Sequence, residues 1–534
     1  MKDWFLLLTI LYLFYSGTKA QEKTEYFKTT VINKKIIEYA DEFNLTTPLK
    51  SFITFNYLYA NGKAGLLRQA SSATIKGFMP KSGAPDLKRP DEMRNEIMNS
   101  IIKEMIVFKD SIACIISGGA DSLYSMRYFF RENGFWRNTG EDLAKGLTGA
   151  RNRFTAKSAI MLSRLRRVCE FQKMPKDTAV FIQYLKEHGK DPKTFILNSL
   201  KEHKIVIYGE VHLRKTSWDL LKAVIKAPGF YKTAGTVFME ISSDAQSKLD
   251  NFFNNRELNT GIILDVFRNL ELTGWMDRGM YEFLIELWKI NNALPEKDRI
   301  KVVAADIPVS YDLFLTKKQH DDHFNSMPGR NRQMADVIEN FVNSDNRGKN
   351  NLFIVGLAHA YKSAAPSFDS GNIPENQNLT AAALLSKKFS NSSVFSIFTH
   401  CPIIGNDGSL HGRKRNGLFD YVFHKLKNIP AGFNLKSSPF GKEPCDAVFE
   451  IMYHPNTGNY ENNYDAYIFL EPLDEEPGEY FLFDLFSDDF IKELKRRAAM
   501  VGMEKIFKCD LNNLTRESIT AALNTKINRW DLSE

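Results

Sequence analysis

The sequence predicts an α/β fold with a mostly parallel sheet covered by helices on both faces, preceded by a mainly helical N-terminal region. Three observations carry this prediction. "KIVIYGEVH" (204–212), "TVFMEIS" (236–242), "IKVVAADIP" (300–308), "NLFIVGLAHA" (351–360) and "SVFSIFT" (393–399) are short runs rich in Val, Ile and Phe. Segments such as "SWDLLKAVIKA", "YEFLIELWKINNA" and "RQMADVIENFV" separate them, with apolar residues three and four apart. Strands that alternate with helices pair in parallel and are buried on both faces, so they read as continuous apolar runs. The charged residues of this region fall at the ends of the runs, where an open parallel sheet binds its ligands.

Taken in order, residues 1–20 have the make-up of a signal peptide. Lys2 precedes the apolar stretch "WFLLLTILYLF" (4–14), and small residues lead to Ala20 before Gln21. A secreted or periplasmic location is the expectation, with no transmembrane segment in the mature chain, because no later stretch approaches 18 consecutive apolar residues. Residues 21–195 read as mainly helical: "RNEIMNSIIKEMIVF" (94–108) and "TAKSAIMLSRLRRVCEFQ" (155–172) carry helical spacing. No partner for this region is legible. Residues 196–475 form the α/β domain, with "DAYIFLEP" (465–472) as a further strand, and residues 476–534 a helical tail that includes "DDFIKELKRRAAMVG".

Composition narrows the function classes. The chain has 534 residues, 43% hydrophobic and 25% charged, which suits packed globular domains. A net charge of +7 spread over that length gives no basic patch for nucleic acid. Cys114, Cys169, Cys401, Cys445 and Cys509 are far apart and odd in number, so they form neither a disulfide framework nor a zinc knuckle, and their pairing is not legible.

The chemistry gathers at the strand ends. Glu210 and His212 close the first run, Glu240 the second, Asp306 the third and His359 the fourth. A carboxylate at the end of a buried strand costs several kcal/mol unless it is paired or reaches water. Four strands that each end in such a group predict one shared polar pocket. Ester hydrolysis needs a base, which histidine supplies near neutral pH, and donors for the tetrahedral oxyanion. Arg214 and Arg268 are the arginines considered for that contact. No G-x-S-x-G elbow is present in this region, so water rather than a serine is the nucleophile.

"GEVH", "FMEIS" and "GLAHA", in this order, resemble the superfamily that joins erythromycin esterases, ChaN-type haem-binding lipoproteins and Tiki/TraB-type metalloproteases. Trp275 before a long helix, "VVAADIP" and "RNRQMADVI" (330–338) are similar to the esterase branch. The resemblance covers residues 196–475. It implies that His212 activates water, that Glu240 and His359 line the same pocket, and that Glu210 orients or polarises; Arg214, Asp306, Arg268 and Trp275 are the residues expected to contact a small-molecule ester. One departure stands out. Only Val211 separates Glu210 from His212, the ChaN-type spacing, whereas the esterases have two intervening residues. The reading adopted needs no metal. The other branches imply a divalent metal held by His212, His359, Glu210 and Glu240, or bound haem. "HDDH" (320–323) is a second, weaker metal-like cluster, and "SGGADS" (117–122) resembles a phosphate loop but reads better as a Gly-Gly break between two helices, with Asp121 as the N-cap.

Overall fold

The computed structural model describes residues 27–39, 43–71, 90–118, 123–132, 134–155, 157–158, 161, 178–327, 329–363, 379–404, 410–446, 458–473, 475–507 and 509–524. Segment 1–20, read from sequence as a signal peptide, most of "TAKSAIMLSRLRRVCEFQ" and Gly119–Ser122 lie outside them. The described residues fall into two compact units, 27–161 and 178–524.

The first unit departs from the mainly helical expectation. It contains a five-stranded antiparallel sheet in the order β1 (Phe27–Lys35), β2 (Ile101–Phe108), β3 (Ile112–Gly118), β4 (Leu123–Glu132) and β5 (Phe135–Lys145). Helix α1 (Pro48–Ala60) places Phe52 and Ile53 against one face, while Ala150, Phe154 and Met161 cover the other. The stretch 94–108 divides into helix α2 (Asp91–Asn99) and β2. In β2, Ile102, Glu104, Ile106 and Phe108 are buried and their neighbours are not, a period of two. Glu104 occupies an inward position, and its charge hides the strand pattern from an apolar count. Arg151 holds that carboxylate with two prongs, one of them at 2.8 Å. The "SGGADS" segment joins two strands instead of two helices, since Ser117 at the end of β3 pairs with Ser125 in β4.

The second unit has the expected sheet. Its strands are β6 (Ile205–Glu210), β7 (Ala234–Ser242), β8 (Lys301–Asp306), β9 (Asn350–Gly356), β10 (Val394–Thr399), β11 (Ala431–Asn434) and β12 (Ala466–Phe469). They lie in the order β11-β12-β10-β6-β9-β7-β8. All pairs are parallel except the edge pair β11–β12, which sequence reading did not foresee. Every residue of β6 is buried. Val206 and Tyr208 face one core and Ile205 and Ile207 the other, as alternation along a strand requires.

Helices α3 (Ala179–His188) and α4 (Pro192–Glu202) precede the sheet within this unit, so it begins earlier than residue 196. Helices α5 (Lys215–Ile225), α6 (Thr260–Leu270) and α7 (Arg278–Ala293) line the first core with Trp218, Phe267 and Phe283; helices α8 (Arg330–Ser344) and α9 (Ala381–Phe389) line the second with Met334, Ile338 and Leu385. Gly279 lets α5 and α7 approach: a Cβ there would sit 2.2 Å from the Trp218 ring. The tail is packed as expected, with Leu494 and Ala498 of α10 (Asp488–Val501) in the first core. Among the described residues, no helix is long and apolar enough to cross a membrane.

Candidate functional site

Register brings the strand ends together. In the β6–β9 pair Glu210 lies opposite Gly356, and β7 runs on the other side of β9. Three neighbouring strands therefore deliver Glu210, Gly356 and Glu240 to one rim. The Glu240 carboxylate accepts from the Gly356 amide at 2.7 Å, which fixes it across the end of β9. Gly356 has no side chain for a reason of space: a Cβ would lie 3.1 Å from Glu240 Oε2 and 3.1 Å from His212 Cε1 and Nε2. The space a side chain would need at Gly356 is taken by Glu240 and His212.

His212 follows β6 in a turn. Its Nδ1 is hydrogen-bonded to Glu210 Oε1, and its ring meets the Trp275 indole edge-to-face, with centroids 4.7 Å apart. In the neutral ring, with Nδ1–H donated to Glu210, Nε2 carries the lone pair, and it is the nitrogen that lies near Gly356. About a third of the side chain remains exposed (32%), so the ring can reach solvent, whereas Glu210 is buried. Burial works against the imidazolium. The Glu210 carboxylate and its hydrogen bond, followed by Glu240 and Asp277, outweigh that and push the His212 pKa up to about 9. Burial raises the Glu210 pKa as well, and its contact with His212 opposes the rise.

Glu240 has two further partners, Arg330 and His359. Arg330, the first residue of α8, donates to Glu240 Oε1 at 2.6 Å, and its Nε donates to Asp306 Oδ1 at 3.0 Å. His359 Nε2 lies 3.5 Å from Glu240 Oε1, while its Nδ1 is fixed by Asn331 Oδ1 at 2.7 Å. Asn331 Oδ1 also accepts from the Ala381 amide at 2.9 Å, so one side chain ties His359 to the start of α9. Burial would raise the Glu240 pKa, but His359 and Arg330 hold it well below the usual carboxylate range. Burial pushes Glu271, just beyond α6, up to about 7, and its carboxyl feels the charges of Arg330, Asp306, Glu240 and His212.

Six of the eight residues singled out from sequence therefore gather in one place: His212, Glu210, Glu240, His359, Asp306 and Trp275. Two do not. The Arg214 guanidinium is fully buried, in an ion pair with Glu476 and donating to the His400 carbonyl. Arg268 donates to the Leu485 carbonyl at 3.1 Å and to Ser487 at 3.3 Å, with its guanidinium over Phe490. Both serve packing. Arg330, Asn331 and Glu271 were not singled out. "RNRQMADVI" contained the first two, but only coordinates show that the start of α8 faces the ends of β7 and β8. "HDDH" is not a metal pair: His320 is buried against Phe314 and Phe324, and His323 Nε2 contacts the Pro308 carbonyl at 2.6 Å.

The turn that carries His212 is held tightly. Leu213 has φ of 67°, the left-handed region, which costs a non-glycine residue about 1–2 kcal/mol. The buried Asp277 accepts from the Leu213 amide at 2.8 Å and from Trp218 Nε1 at 3.0 Å, both through Oδ2; its Oδ1 accepts from the Met280 amide at 3.0 Å and caps α7. The Tyr480 amide donates to the Leu213 carbonyl at 2.9 Å.

Glu210, His212 and Glu240 each offer a ligand atom, and these atoms lie within 4.8 Å of one another. Carboxylate and imidazole together suit a divalent transition ion.

No family model matches the chain, and no curated protein does. Two solved structures are similar to part of it. One is a crystal structure of a Bacillus cereus protein, at 12% identity and a TM-score of 0.37. The other, also from Bacillus cereus, is described as a succinoglycan biosynthesis protein, at 10% identity and a TM-score of 0.37. Each match covers 55% of this chain and 97% of the other.

Proposed function

We propose that this chain hydrolyses an ester or lactone in the manner of the erythromycin-esterase-like proteins its motifs resemble, and that it does so outside the cytoplasm, where the leader segment would send it. The observation that carries the reading is the pose of His212. Glu210 occupies Nδ1, Trp275 packs on the ring, and Nε2 faces the rim where Glu240 and Gly356 meet. In its neutral form the ring takes a proton from water through Nε2, and the resulting hydroxide attacks the substrate carbonyl. Glu210 then stabilises the imidazolium that forms, as a carboxylate partner does for a histidine base.

The oxyanion needs a donor aimed at the place where charge develops. Arg330 is committed to Glu240 and Asp306. Among the described residues Trp275 Nε1 is buried without a hydrogen-bond partner, and it belongs to the ring beside His212. We assign the donor role to Trp275; its nitrogen is closed to solvent here, so the indole has to shift as substrate enters. Glu240, held as a carboxylate by Arg330 and His359, orients the attacking water.

A second reading rests on the clustering of Glu210, His212 and Glu240. These three would hold a divalent ion, which when bound would polarise the carbonyl and lower the pKa of its water, as in the metalloprotease branch. The two readings separate in one experiment. Purified chain is assayed against a panel of small aryl esters and lactones, before and after exhaustive chelation. Turnover that survives chelation supports the metal-free reading. Turnover that is lost and then restored by a divalent ion moves the assignment to the second. No turnover on any ester or lactone contradicts the first.

A further inference from the structure

We propose that Asp277 is the positioning residue for His212, and that it acts by holding Leu213 in the left-handed backbone conformation that aims the imidazole. The inference rests on the reading of His212 as the base, and it concerns a residue closed to solvent.

The geometry has three parts. β6 ends at Glu210 with its side chain buried, and the chain must turn at once so that His212, two residues on, returns its Nδ1 to that same carboxylate. Leu213 makes the turn with φ of 67°, a conformation that a leucine leaves unless something holds it. What holds it is a pair of hydrogen bonds from opposite sides. Asp277 Oδ2 receives the Leu213 amide, and the Tyr480 amide reaches the Leu213 carbonyl. Asp277 is itself immobile, because it is fully buried and forms the N-cap of α7 through Oδ1. Segment 480–482 is laid against the same residues: the Arg278 amide donates to the Tyr480 carbonyl and the Leu482 amide to the Met276 carbonyl. Arg214 and Thr216, just after the turn, both bond Glu476. The His212 turn is therefore gripped by α7 on one side and by residues 476–482 on the other.

The two oxygens of Asp277 have separate duties, which makes a selective test available. In Asp277→Asn the oxygen can keep the Met280 amide and the helix cap, while the new amide group faces two donors, Leu213 N–H and Trp218 N–H. The cap survives and the turn loses one of its two anchors, the Tyr480 bond remaining. Glycine adopts positive φ without strain, so Leu213→Gly removes the need for an anchor.

Four proteins are compared by turnover and by crystal structure: wild type, D277N, L213G and the double variant. In D277N, Leu213 is expected to leave the left-handed region, His212 Nδ1 to move out of reach of Glu210, and turnover to fall about 100-fold. In the L213G background the same D277N change is expected to cost less than tenfold and to leave the His212–Glu210 contact in place. A merely structural Asp277 would give equal losses in both backgrounds, which overturns the proposal. So does a D277N structure with the turn unchanged. If all four proteins lack turnover while the crystal structures behave as stated, the ester reading fails and the positioning role of Asp277 stands.

Discussion

His212→Ala is expected to lower ester or lactone turnover by about 10³-fold, within the range general-base groups contribute, while circular dichroism and melting temperature stay close to those of the wild type. The asymmetry follows from where the ring sits. It is partly exposed, so its removal opens little of the core, yet among the described residues it supplies the imidazole nitrogen that lies with Glu210 and Glu240 at the rim. Substitution also unpairs the buried Glu210 carboxylate. That group already has a raised pKa and takes up a proton more readily once its cation is gone, which limits the stability cost. A variant that keeps more than a tenth of wild-type turnover would remove His212 from the chemistry.

Arg330→Ala is expected to show the opposite balance, a large loss of stability that carries activity down with it. The guanidinium lies between two carboxylates, Glu240 and Asp306, which close neighbouring strands β7 and β8. Removing one partner of a buried ion pair costs about 3–5 kcal/mol, because the charges left behind stay out of water. Glu240 determines the pH at which this shows. Its folded pKa is depressed, so its contribution is fully present above the ordinary value of 4.5 and is lost as pH falls through the folded value. The variant is expected to lose most against wild type at neutral pH and less in acid below the ordinary carboxylate range, which urea unfolding at pH 7 and at successively lower pH would measure. Equal stability of the two proteins at pH 7 would mean that Arg330 is not the counter-ion of the rim.

The sheet of the second unit was legible because five strands are buried on both faces, and a short continuous apolar run between long helical segments fits the interior of a parallel sheet and little else. The gathering of these side chains was legible for the same reason: Glu210, Glu240, Asp306 and His359 each interrupt a run that has to be buried, and parallel strands end on one side. What was not legible came from side chains acting across the fold. Arg214 looked available for substrate, but residue 476 lies 262 positions away in sequence and takes it. Arg330 stood in the "RNRQMADVI" stretch with no role of its own, and only the fold shows that α8 begins at the ends of β7 and β8. The first unit misled for a local reason. Glu104 faces inward on β2, and a strand with one charged core position counts like a helix.

The pH dependence of turnover tests the central claim most directly, since it reads the state of the one base on which the mechanism depends. The His212 pKa is pushed up to about 9 by carboxylates, chiefly Glu210, so the neutral ring that acts as base accumulates only as pH rises toward that value. The rate, kcat/KM, is therefore expected to climb across neutral pH and level off only above about pH 9 in the wild type. In Glu210→Gln the same rise is expected at lower pH, because the cation has lost its nearest support. A wild-type profile that is flat from pH 6 to 9, or a Glu210→Gln profile that does not move, would contradict the assignment of His212 as a base held by Glu210.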